Sequence, residues 1–148
     1  MREIHRSAIV PYAAEAMFDL VADVDAYAEF VPGCTDSHVE SAATGDSDCE
    51  EIVASLGLTH GGHTGRFTTR NRMEPPRHIH MSLVDGPFSE LEGDWCVEPL
   101  GEAGCRLELS MRFAFSNRLK DMLLGPMFEL TCNHLVDAFV KRAHHLYG

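Results

Sequence analysis

Any chemistry in this chain of 148 residues would have to come from its histidines, cysteines or arginines. Two histidine pairs have ligand-like spacing, His60-x-x-His63 and His78-x-His80. Side chains at i and i+2 of a strand share a face, so His78 and His80 could chelate a metal. A closed metal site needs further ligands at fitting geometry, and the sequence around them supplies none. Solvated surface imidazoles are the expectation. There is no nucleophile beside a base and no phosphate-cradling glycine loop. The expectation is a protein without a catalytic centre or a metal, and one that requires no cofactor.

The five cysteines, Cys34, Cys49, Cys96, Cys105 and Cys132, are odd in number and form no C-x-x-C. With no signal peptide in view, they read as reduced thiols of a cytoplasmic protein. Cys96 and Cys105 flank one hairpin. Cys96 falls on the outer phase with Asp94 and Cys105 on the inner phase with Leu107, so a bond between them is excluded and buried, inert thiols are expected. No apolar run is long enough to span a bilayer, so any membrane contact would be peripheral.

The net charge of −11 repels nucleic acid and anionic membranes unless a local patch reverses it. One stretch could. Arg66, Arg70 and Arg72 share a strand face, His78 and His80 face the same way on the next strand, and Glu90, Glu92 and Asp94 follow on the one after. This is either a solvated face with weak cross-strand pairs or a basic stripe suited to nucleic-acid phosphates.

The elements that must position these groups read as one domain spanning residues 1–148. Glu3–Val10 alternates as a first strand, ended by Pro11. Ala14, Met17, Phe18 and Val21 recur at helical spacing, though Ala13 offers no capping side chain. Asp23 is expected to cap a second short helix carrying Tyr27 and Phe30. Strands over Thr35–Ala43 and Cys49–Leu58 flank a Thr44–Ser47 turn. Gly57–Gly65 reads as a mobile loop. Arg66–Met73, Arg77–Val84, Phe88–Pro99 and Cys105–Phe115 alternate as four more strands, with turns at Pro75-Pro76 and at Asp85–Pro87. The last strand is the cleanest, with Cys105, Leu107, Leu109, Met111, Phe113 and Phe115 inward. A short helix over Leu119–Leu124 is expected to lead into a long one over Pro126–Tyr147, about 30 Å in length. Glu129, Asn133, Asp137 and Lys141 mark its wet face, and Phe128, Leu135, Phe139 and Leu146 its apolar face.

The fold class is therefore α+β: an antiparallel sheet of about seven strands wrapped around a long C-terminal helix, with two short helices after the first strand. A twisted sheet gripping one helix does not close tightly at both ends, which favours a hydrophobic pocket between them. The candidate wall is Phe30, Phe67, Met81, Trp95, Leu109, Phe128, Thr131 and Leu135. Each could equally be plain core. Arg142 falls inside the apolar stripe of the helix, where it must pair with an acidic residue of the short helices or touch the polar end of a ligand.

Short runs spread along the chain carry a resemblance. They are Val10-Pro11-Tyr12, Phe30-Val31-Pro32-Gly33-Cys34, Phe67-Thr68-Thr69-Arg70-Asn71, Leu83–Phe88, Leu91–Trp95, Ala138-Phe139 and Arg142-Ala143. Together they resemble the START-like helix-grip family of RatA-type and coenzyme Q-binding proteins, also described as oligoketide cyclase or lipid-transport proteins. The resemblance implies non-enzymatic binding of a hydrophobic ligand, ubiquinone or a related polyprenyl lipid, in support of respiration. It also implies an alternative, a toxin-like regulator that binds the large ribosomal subunit and blocks subunit association. A polyketide cyclase or aromatase is a third reading, disfavoured because the inward phases offer almost no acid or base.

Overall fold

A computed structural model describes residues 2–44, 50–60, 62–101 and 104–148. The order is β1 (Arg2–Val10), α1 (Ala14–Ala22), a 3-10 helix (Val24–Glu29), β2 (Cys34–Thr44), β3 (Glu50–His60), β4 (His63–Glu74), β5 (His78–Asp85), β6 (Phe88–Pro99), β7 (Cys105–Phe115) and α2 (Arg118–Tyr147). The seven strands form one antiparallel sheet in the order β1-β7-β6-β5-β4-β3-β2. One face packs on α1 and α2, and the other carries most of the charge.

The alternation of β7 is reproduced: Leu107, Leu109 and Phe113 are fully buried, while Glu108 turns to the outer face opposite Ser7 and Cys96. The bounds of β6 and β7 coincide with those expected from sequence. The expected turn over Thr44–Ser47 and the start of the next strand at Cys49 fall largely outside the described residues.

Four expectations are corrected. The Gly57–Gly65 stretch is not a loop. β3 and β4 run through it, with His60 opposite His63. Gly57 sits between Asp36 of β2 and Arg66 of β4, and a Cβ there would overlap the Asp36 carboxylate. The glycine is thus a window through which that carboxylate reaches Arg66.

The second correction concerns α2, a single helix of 30 residues that absorbs the expected Leu119–Leu124 segment. Asn117 caps it, its side chain accepting from the Lys120 N–H at 2.8 Å. Pro126 lies inside and costs one backbone hydrogen bond on an exposed turn. Gly125 has a tertiary reason: a Cβ there would lie 2.6 Å from Arg2 Nη2. The Arg2 guanidinium crosses the helix at that point to reach Asp121, at 3.0 Å, and Glu129.

The third correction follows from the second. Glu129 and Asn133 are not on a wet face; they are half-buried beneath β1, paired with Arg2 and Arg6. Leu146, expected inward, is exposed, and Met127 and Val136 take core positions instead. Fourth, Asp23 stands at the cap position of the 3-10 helix, but its side chain makes no capping hydrogen bond.

Candidate ligand-binding site

The buried face of α2 meets the concave face of the sheet along two aromatic groups. Phe67, Phe88, Phe113 and Phe115 surround Phe128 at one end. Tyr27, Phe30 and Trp95 surround Phe139 toward the other. Between the two groups lies a cavity of about 60 Å³.

Each wall comes from a recognisable pattern. The inward positions of β2–β4 supply Cys34, Ala54, Leu56, Leu58, Phe67, Thr69 and Asn71. Those of β5–β7 supply Ile79, Met81, Trp95 and Met111. The helix contributes Phe128, Thr131, Cys132 and Leu135, one stripe at three- and four-residue spacing. Val21, Val24, Tyr27 and Val31, from α1 and the segment after it, close the remaining side.

The structure therefore brings together Phe67, Met81, Trp95, Phe128, Thr131 and Leu135 of the expected wall. It leaves out three. Leu109 is fully buried opposite Trp95 and does not border the cavity. Phe30 packs edge-on against Phe139, with centroids 5.2 Å apart. Arg142 places Nη2 at 3.6 Å from Glu29 Oε1 and its guanidinium carbon 5.1 Å from the centre of the Phe30 ring. That is the pairing with an acid of the short helices. Phe30 and Arg142 line instead an open groove on the outside of α2, with His134, Lys141 and His145.

Sequence reasoning missed the polar floor of the cavity. Thr69 and Asn71 are both buried, and the Thr69 hydroxyl donates to Asn71 Oδ1 at 2.8 Å. The signal was there to read, as two polar residues on the inward phase between Phe67 and Met73. The Tyr27 hydroxyl donates to the Val21 carbonyl.

The electrostatics of the lining are simple. Burial pushes the Tyr27 phenol far above its ordinary value and does the same to the Cys132 thiol. The Cys34 thiol is pushed up to about 11, by burial first and the nearby Asp36 second. Among the described residues no carboxylate, imidazole, ammonium or guanidinium lines the cavity. The site can hold a neutral, largely apolar molecule by burial, shape and a few hydrogen bonds. It has no group to move a proton near neutral pH.

The outer face of the sheet is an alternating lattice of charge. Arg66 is paired with Asp36, and Arg70 Nε lies 2.9 Å from Glu51 Oε1. Arg72 has no ion pair among the described residues. His78 Nε2 and His80 Nδ1 both meet Asp94 Oδ1, at 2.7 and 2.9 Å, so the imidazoles converge on a carboxylate. The side chains of His60 and His63 lie outside the described residues. Cys34, Cys96, Cys105 and Cys132 are free thiols; Cys96 is only half-buried, a correction to the expectation that it is sealed inside. Among the described residues no helix is long and apolar enough to cross a membrane.

Three comparisons bear on the site. Residues 10–140 match the family described as polyketide cyclase / dehydrase and lipid transport. The chain is 41% identical over 148 residues to the ribosome association toxin RatA of Vibrio cholerae, covering 100% of this chain and 99% of that protein. It is 30% identical over 151 residues to the mitochondrial coenzyme Q-binding protein COQ10 homolog B of Xenopus laevis, covering 99% of this chain and 59% of that one. Among solved structures, the Zhui aromatase/cyclase of Streptomyces sp. R1128 superposes with a TM-score of 0.80 at 19% identity, covering 97% of this chain and 93% of that one.

Proposed function

The chain belongs to the polyketide cyclase, dehydrase and lipid-transport family and has its START-like helix-grip fold, and from that membership we propose that it is a non-enzymatic carrier of a hydrophobic ligand, ubiquinone or a related polyprenyl lipid, in support of respiration. The observation that carries the reading is the cavity itself. Its wall is aromatic, aliphatic and thioether, with only neutral polar groups. A quinone ring is flat, uncharged and apolar over most of its surface, and it matches such a wall. The likeness to a coenzyme Q-binding protein over nearly the whole chain supports the same choice.

At about 60 Å³ the cavity is smaller than the ring it is proposed to hold. Met81, Met111 and Leu135 line it, and unbranched thioethers re-pack around an entering group at low cost. Ligand entry therefore widens a space that already exists. The reading includes a cytoplasmic location, which the unpaired thiols support. A cyclase would need an acid or base on the cavity wall, and the likeness to an aromatase at 19% identity is one of fold.

The experiment is thermal unfolding with a decyl-tailed ubiquinone analogue, backed by native mass spectrometry and lipid extraction of the purified protein. A ligand that binds only the folded state adds about 2.7 kcal/mol of stability at a hundredfold excess over its Kd. The melting temperature should rise. No shift with any quinone or lipid sinks the carrier reading.

A second reading, ribosome binding that blocks subunit association, is favoured by the identity to a ribosome association toxin over the whole chain. It would use the outer surface, through Arg66, Arg70 and Arg72, and is compatible with a filled cavity. Co-sedimentation with large ribosomal subunits tests it.

A further inference from the structure

The polar floor of the cavity is only half satisfied. Asn71 is 7% exposed and stands on the inner face of β4, between Ile52 of β3 and Met81 of β5. Its carbonyl end accepts from the Thr69 hydroxyl. Its NH2 end carries two N–H donors, and neither finds a partner among the described residues. The indole N–H of Trp95, on a residue 2% exposed, is in the same position. Yet among the described residues no fully enclosed side-chain nitrogen or oxygen lacks a hydrogen bond. A donor without a partner is then one that is not fully enclosed, and Asn71 and Trp95 both form part of the cavity wall.

A buried donor without a partner is costly to the folded state. Two of them on the wall of one apolar cavity describe the complement of the ligand. It presents acceptor oxygen there and carries no charge. A carboxylate would be desolvated with no cation on the wall to meet it. An ammonium would find no anion, and the Asn71 carbonyl end is already engaged by Thr69. We infer that the Asn71 carboxamide, assisted by the Trp95 indole N–H, anchors a carbonyl oxygen of the ligand and so sets a preference for a neutral carbonyl-bearing ring over a plain hydrocarbon. This rests on the carrier reading and names the group that would give it specificity.

The test compares a decyl-tailed ubiquinone analogue with decylbenzene, which has the tail and a ring but no carbonyl. The quantity read is the ratio of their affinities, for the natural chain and for Asn71→Leu, by titration calorimetry. The substitution should lower the ratio of quinone to decylbenzene affinity about tenfold, the loss of one or two hydrogen bonds. An unchanged ratio overturns the inference. Should Asn71→Leu fail to fold, the side-chain 1H–15N resonances of Asn71 in the natural protein decide the matter. They should move on adding the quinone and stay in place with decylbenzene, and resonances that ignore the quinone overturn the inference. A natural protein that binds neither probe overturns the carrier reading, and this inference with it. One that binds both with a ratio insensitive to residue 71 overturns only the anchor.

Discussion

The indole of Trp95 meets the ring of Phe139 edge-on, with centroids 5.2 Å apart and planes at 89°. It couples the cavity wall on β6 to the buried stripe of α2. Phe139 is fully buried, so Phe139→Ala should cost about 3–5 kcal/mol in urea unfolding. A double-mutant cycle with Trp95→Ala should show about 0.5–1.5 kcal/mol of coupling beyond the lost area. Trp95→Ala alone should also shrink the thermal shift given by a quinone, since the indole forms part of the wall.

A second prediction comes from the Arg2 clamp. Alanine in place of a mid-helix glycine ordinarily stabilises by about 0.8–1.0 kcal/mol. Here the new methyl group meets the Arg2 guanidinium. Gly125→Ala should therefore be nearly neutral in the natural chain and stabilising when Arg2 is already alanine. Arg2 and its two acids are partly exposed, so Arg2→Ala alone should cost about 1 kcal/mol or less and be masked by molar salt. Additive effects of the two substitutions would refute the clamp.

The third prediction concerns acid. Partial burial alone would raise the Asp94 carboxyl, but the hydrogen bonds from His80 and His78 outweigh it and hold the carboxyl below its ordinary value. A carboxyl depressed in the folded state adds stability above its unfolded value, about 3.9. That stability is lost as pH falls through the folded value. Asp94→Asn should thus be less stable than the natural chain at pH 6, by under about 1 kcal/mol because the group is 41% exposed. The difference should close as pH drops below about 4. A gap that widens in acid contradicts the assignment.

The fourth prediction separates the two functional readings. Replacing Arg66, Arg70 and Arg72 with Glu reverses the arginine row on β4 and sets like charges against Asp36 and Glu51. Co-sedimentation with ribosomal subunits should be lost in the triple variant and, in the natural chain, should weaken steeply with salt. The quinone-induced thermal shift should persist, because these side chains lie on the opposite sheet face from the cavity. Unchanged co-sedimentation would assign any ribosome contact to another surface.

Much of this was legible in the chain. β7 alternates throughout and β6 does so from Leu91 to Val97, and a period of two leaves little choice of face. The same period in β4, β5 and β6 puts Phe67, Met81 and Trp95 on the inward face, where they line the cavity. What it does not give is depth. Leu109 shares the phase of Met111 yet does not border the cavity, and Arg142 shares the stripe of Phe139 yet turns out to Glu29. The glycines misled for one reason in two places. Gly57 and Gly125 look like breaks, but each is a gap through which a charged side chain from another element passes. Such a partner is remote in sequence, so no local window contains it.

The thiols of the cavity wall have a bearing on what can be stored beside them. A quinone ring is an electrophile, and a thiolate within reach attacks it where a protonated thiol does not. Cys34 and Cys132 both border the cavity. Burial keeps them protonated, Cys34 up to about 11 and Cys132 higher still. Were a quinone the cargo, the same dry wall that would shelter its ring also keeps the two thiols nearest to it protonated, and the container would escape alkylation by what it carries.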